Sequence, residues 1–91
     1  MATKVRIPTQ LRTLSGGAGE VAVEGSTVGD VLKALDAAHP GFGERLFDES
    51  GQLRRFINVF LDDEDIRFLD GVATQVGTGT TLSIVPAVAG G

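Results

Sequence analysis

Residues 26–41, "STVGDVLKALDAAHPG", decide the architecture. Val28, Val31, Leu32 and Leu35 recur at the three- and four-residue spacing that gathers side chains on one face of a helix. Thr27 stands where an N-cap hydroxyl accepts a hydrogen bond from the first turn. Asp30 places a carboxylate in that turn, at the positive end of the helix dipole. Pro40 disfavours helical geometry in the residue before it, so the pattern predicts a helix ending near His39. The segments on either side read mainly as strands, so this helix has a sheet to cover.

Upstream, "TKVRIP" (3–8) alternates, with Thr3, Val5 and Ile7 on one side and Lys4 and Arg6 on the other. "SGGAG" (15–19) is a loop whose glycines tolerate positive φ. "EVAVEG" (20–25) alternates again, Val21 and Val23 inward and Glu20 and Glu24 outward. Two such strands joined by a glycine-rich connection predict a hairpin. Downstream, "GFGERLFDESGQ" (41–52) reads as irregular with a short helical turn. "RFINVFLDDEDIRF" (55–68) reads as a second hairpin. Ile57, Val59 and Leu61 share one face, and Phe56, Asn58 and Phe60 share the other. "DDED" is the turn, and Ile66 and Phe68 begin the return strand. "DGVATQVGTGT" (70–80) connects, with room for a helical turn. "TLSIVP" (81–86) is the last strand, Leu82 and Ile84 inward, Ser83 and Val85 outward.

Hairpin, helix, hairpin and last strand make an α+β class, a mixed sheet packed on one main helix. The last strand is expected at the sheet centre beside the first. The face of the sheet away from the helix then carries Phe56, Phe60 and Val85, with Lys4 and Arg6 close by. Two readings of these phenylalanines stand open. They form an apolar patch for a protein partner, or the segment after the helix folds over and buries them.

The 91 residues imply one domain, with a single modest core and little room for an enclosed active site. Hydrophobic residues make up 42% and charged residues 22%, ordinary values for a globular chain. The net charge of -4 argues against nucleic acid, which demands clustered Lys and Arg. No cysteine is present, which excludes a disulfide, a thiolate zinc site and a thiol nucleophile. Lys4 and Arg6 interrupt the region where a signal peptide places its apolar segment, and no apolar run is long enough for a bilayer. The expectation is a soluble cytoplasmic protein without a membrane partner.

Few side chains offer chemistry. The carboxylates of Asp62–Asp65 lack the spacing and the glycine of an EF-hand loop, so a solvated acidic turn is the simpler reading. His39 is the only histidine, and a cation there suits a helix C-terminus. No metal site is expected from one histidine and no cysteine. Neither "LSGGAGE" (14–20) nor "GTGTT" (77–81) fits a phosphate-binding glycine motif.

The final residues differ in kind. From Gly71 onward no side chain is charged. "IVPAVAGG" (84–91) passes from a strand pattern through Pro86 into alanine, valine and glycine, a thin backbone able to enter a narrow cleft. Fraying alone would also explain such a segment. The expected division is a folded domain at 1–86 and a flexible tail at 87–91.

Set together, "IPTQLR" (7–12), "TVGDVLKAL" (27–35), "RFINVFLDDEDIRF" (55–68), "GVAT" (71–74) and "IVPAVAGG" (84–91) make the chain resemble the prokaryotic sulfur-carrier proteins of ubiquitin-like β-grasp fold. These include the small subunit of molybdopterin synthase and the thiamine-pathway carrier. "INVFLDDEDIRF" and "VPAVAGG" look most like the cysteine-pathway carrier of actinobacteria. The resemblance implies a protein co-substrate, not an enzyme. The carboxylate of Gly91 would be adenylated with ATP by an adenylyltransferase/sulfurtransferase of the ubiquitin-activating, E1-like type, then converted to a thiocarboxylate. Ala87, Val88, Ala89 and Gly90 would thread into partner active sites. The acceptor implied is a pyridoxal-phosphate (PLP) sulfhydrylase acting on O-phosphoserine, with a zinc metalloprotease releasing cysteine. ATP, pyridoxal phosphate and zinc would all belong to partners. The resemblance equally admits molybdopterin, thiosugar synthase or other secondary-metabolite acceptors, and a ubiquitin-like protein modifier. A plain adaptor using the Phe56/Phe60 face is the alternative outside the carriers. Many relatives carry acidic residues before the last strand, whereas "VGTGTTL" (76–82) is uncharged, which leaves the docking surface less defined.

Overall fold

The computed structural model describes residues 2–54, 57–77 and 79–86. Strands β1 (Ala2–Arg6) and β2 (Glu20–Glu24) precede helix α1 (Val28–Ala38) and the short helix α2 (Phe42–Leu46). Strands β3 (Ile57–Leu61), β4 (Glu64–Asp65) and β5 (Thr81–Pro86) follow, with 3₁₀ turns at Thr9–Leu11, Ile66–Phe68 and Gly71–Ala73. The five strands form one mixed sheet in the order β2-β1-β5-β3-β4. The last strand lies at the centre, parallel to β1 and antiparallel to β3, as its alternation and position in the chain predict.

The core lies between the sheet and the helices. Val28, Val31, Leu32 and Leu35 of α1 are fully buried against Val5, Val59, Leu82 and Ile84 of the sheet. The whole apolar stripe is therefore removed from water, which stabilises such a helix more than intrinsic propensity does. The Thr27 hydroxyl accepts from the Asp30 N–H at 3.2 Å, as an N-cap should. A second orphan donor of this terminus, the Val28 N–H, reaches the Thr74 carbonyl at 2.9 Å. That bond ties the segment before β5 to the start of α1.

The helix ends at Ala38 with His39 as its C-cap, and Gly41 takes φ +112° to start α2. Gly41 has no side chain with which to cap. Asp36 of α1 does so from a distance, accepting from the N–H groups of Gly41 at 3.2 Å and Gly43 at 2.8 Å. Phe42 and Leu46 of α2 then close the core. They lie on the helix side, so this segment does not cover the other sheet face as one reading of the sequence proposed. Gly25 matters for packing. A Cβ there would lie 2.6 Å from the Val31 backbone nitrogen.

The second hairpin differs from expectation in two respects. Its turn is Asp62–Asp63, because Glu64 and Asp65 already pair with Leu61 and Phe60. The return strand stops after those two residues, and Ile66–Phe68 is a 3₁₀ turn instead of a strand. Asp65 is the cause. Its carboxylate accepts from the Arg67 N–H at 2.9 Å and caps the turn. In a strand Ile66 and Phe68 would face the same way. At about three residues per turn they diverge. Ile66 is buried at 1% exposure and Phe68 stands out at 86%.

The candidate docking face and the root of the C-terminal segment

Register assembles the sheet face away from the helices. Arg6 lies opposite Glu20 on β2 and Ser83 on β5. Ser83 lies opposite Phe60, and Phe60 opposite Asp65. One transverse row therefore reads Glu20, Arg6, Ser83, Phe60, Asp65. A second row pairs Asn58 with Val85, and a third pairs Ala22, Lys4 and Thr81. The sequence expectation that Phe60, Val85, Lys4 and Arg6 share a face agrees with this register. Val85 is exposed at 43%, while Phe60 is half-buried. Phe56, the third apolar residue expected here, lies outside the described residues.

One edge of the face is held by charge. Arg67 forms an ion pair with Asp65 at 2.9 Å and donates a second bond to the Asn58 side chain. It is the only salt bridge among the described residues. The Arg67 guanidinium and backbone N–H together hold the Asp65 carboxyl below the usual carboxylate range, and Asp65 in turn raises the Arg67 pKa.

Acidity in the turn divides by role. The Asp62 Oδ1 accepts from the Thr81 N–H at 3.1 Å, and its own N–H reaches the Thr81 carbonyl at 2.8 Å. Asp62, at φ +56°, therefore ties the end of β3 to the start of β5. Asp63 and Glu64 are exposed and accept no side-chain hydrogen bond among the described residues. A uniformly solvated turn describes only these two. No group of three His, Cys, Asp or Glu side chains able to hold a metal occurs among the described residues. His39 sits edge-on to Phe42, ring centroids 6.4 Å apart, in its capping position.

Where β5 ends, an open groove of about 790 Å³ is lined by residues including Arg6, Pro8, Arg12, Glu20, Val85 and Pro86. Arg12 is fixed there. Its Nε–H donates to the Ile7 carbonyl at 3.1 Å, and its guanidinium lies over Gly19, where a Cβ would come within 3.2 Å. Because β1 and β5 are parallel, both finish at this end of the sheet, and the chain continues from it toward Gly91. Ala87, Val88, Ala89, Gly90 and Gly91, the residues of the expected tail, lie outside the described residues. No helix among the described residues is long and apolar enough to cross a membrane.

A five-stranded mixed sheet in the order β2-β1-β5-β3-β4 packed on one main helix is the ubiquitin-like β-grasp fold of small carrier proteins. Residues 5–91 match the ThiS family, and the chain belongs to that family. It is 46% identical over 93 residues to the sulfur carrier protein CysO of Mycobacterium tuberculosis, covering 100% of both chains. Among solved structures it is similar to the Amycolatopsis orientalis BexX/CysO complex, with TM-score 0.92, 47% identity, and coverage of 99% of this chain and 100% of that one. It is also similar to SAMP1 of Haloferax volcanii, with TM-score 0.85, 30% identity and 100% coverage of both chains.

Proposed function

We propose that the chain is a sulfur carrier whose working group is the backbone carboxylate of Gly91. The observation that carries this reading is the likeness to a sulfur carrier protein across 100% of both chains. A carboxylate is a poor electrophile. One of its oxygens attacks the α-phosphate of ATP on an adenylating partner, and pyrophosphate leaves. Hydrosulfide, as the simplest sulfur nucleophile, then attacks the acyl carbon, AMP leaves, a proton is released, and a thiocarboxylate remains. With no cysteine in the chain, sulfur has no side-chain thiol to ride on. Ala87, Val88, Ala89 and Gly90 form the arm that carries it into an acceptor, which raises its effective concentration there.

The acceptor proposed is a PLP sulfhydrylase acting on O-phosphoserine, with a zinc metalloprotease restoring the carrier, in the cytoplasm. Support comes from CysO as the name of the relatives at 46% identity. The face carrying Phe60 and Val85 offers the folded domain a docking surface beside the root of the arm. We place the division between folded domain and tail at 86/87, supported on the domain side by β5 running through Pro86.

Intact-mass spectrometry tests the chemistry. After incubation with the adenylating enzyme, ATP and a sulfur source, the chain should gain the difference between one sulfur and one oxygen, and fragmentation should place it on Gly91. A mass that never changes with competent partners rejects the proposal. A second reading, a ubiquitin-like modifier, draws support from the SAMP1 likeness. It requires lysines of other proteins to carry, in tryptic digests, a branched remnant of residues 68–91, because Arg67 is the last Lys or Arg of the chain, and a pure sulfur carrier leaves none.

A further inference from the structure

The most exposed large apolar side chain among the described residues lies outside the face just described. Phe68 is 86% exposed, and Leu69 and Val72 beside it in the chain are 37% and 40% exposed. A phenyl ring left in water and fixed there by local structure needs a reason, because a collapsed rotamer or a strand would have hidden it. The fixing is specific. The Asp65 cap and the Asp65–Arg67 pair set the 3₁₀ turn that turns Phe68 out while Ile66 anchors it in the core. Val72 is seated as well, its Cβ 3.5 Å from where a Cβ on Gly29 would lie, at the start of α1.

The charge around this ridge is one-sided. Residues 62–70 hold five carboxylates and one guanidinium, leaving seven charges of each sign in the rest of the chain. The whole net charge of -4 therefore resides in the segment that presents Phe68. Asp62 and Asp65 are engaged in the fold, and Asp63, Glu64 and Asp70 are exposed.

We propose that the Phe68–Leu69–Val72 ridge, flanked by Asp63, Glu64 and Asp70, docks into an apolar pocket bordered by Lys and Arg side chains on the enzyme that adenylates the chain. The inference rests on the carrier reading. That enzyme meets an arm of Ala, Val and Gly with no charged side chain, which supplies little recognition, so the folded domain must supply it. An aromatic anchor with a complementary charged rim is the composition that concentrates binding energy and speeds encounter.

The experiment is isothermal titration of the full chain into the purified adenylating enzyme without ATP, at low and high salt. Phe68→Ala should weaken binding roughly 30-fold, the loss typical of an aromatic hot spot. Phe68→Leu should recover part of that loss. The triple change Asp63→Lys, Glu64→Lys, Asp70→Lys should weaken binding and abolish its decline with salt. Melting temperatures of all three variants should match the parent. Parental affinity in Phe68→Ala overturns the inference, and so does a melting temperature well below the parent, which would make Phe68 structural. Sulfur loading of the parent chain is scored separately by mass. A parent that binds but gains no sulfur rejects the proposed function, while the titration still decides the ridge.

Discussion

Helix α1 and the segment 62–72 are similar in length and opposite in construction. In α1 the apolar period and the capping residue agree, so local preference and burial lead to one structure. Val28, Val31, Leu32 and Leu35 are all fully buried, and Thr27 caps where the sequence placed it. In 62–72 they conflict. The alternation of Ile66 and Phe68 favours a strand, yet a single carboxylate two residues upstream of Arg67 ends it. The difference teaches that a periodic pattern decides structure where its apolar face has a core to enter. At a sheet edge, a hydrogen bond between a side chain and the backbone suffices to override it.

The comparison breaks most severely at Leu32. Leu32→Ala empties a fully buried site under α1 and should cost about 2–5 kcal/mol in urea unfolding, with the midpoint shifted accordingly. Gly25→Ala comes next. The added Cβ meets backbone atoms of Asp30 and Val31, which cannot step aside as a flexible side chain can, and a loss of about 1–3 kcal/mol is expected. Thr27→Ala removes only the cap and should cost about 1 kcal/mol by the same measurement. On the other side of the comparison, Phe68→Ala should leave stability within about 0.5 kcal/mol of the parent, as befits an exposed residue.

The smallest effect sharpens the role of Asp65. Its carboxyl titrates lower in the folded state than its ordinary value of 3.8. The stabilisation is therefore present above pH 3.8 and lost as pH falls through the lower folded value. Asp65→Asn should lower stability slightly near neutrality and flatten that part of the pH–stability curve, so that variant and parent converge as pH falls, read by thermal melts across the acid range. An unchanged acid limb would mean that other carboxylates govern it.

Most of the fold was legible because its strands and helix carry strong periods. The α+β class, the central last strand and the outward placement of Phe60 and Val85 follow from alternation combined with connection rules. The remote cap from Asp36 to α2 was not legible, since nothing in the chain marks a carboxylate as partner to N–H groups five and seven residues on. The Phe68 ridge was hidden for a related reason, because its one signal was "EDIRF" (64–68) read as strand. An Asp-x-Arg sequence at a hairpin edge is compatible with a cap, and only the observed bond distinguishes the two.

By itself, the sequence determined what burial of apolar periods can determine. That comprises the order of the main elements and the face each strand turns inward; composition added the absence of cysteine, and the resemblance to sulfur carriers implied the terminal glycines as the candidate reactive group. The tertiary structure decided where side chains distant from one another in the chain or facing solvent come to lie. It joined Arg6, Ser83, Phe60 and Asp65 in one row across four strands, set Arg12 beside the root of the C-terminal segment, and turned Phe68 out into water. The physical reason is that the hydrophobic effect imprints a period on a sequence, whereas hydrogen bonds and cross-strand register at the surface leave none.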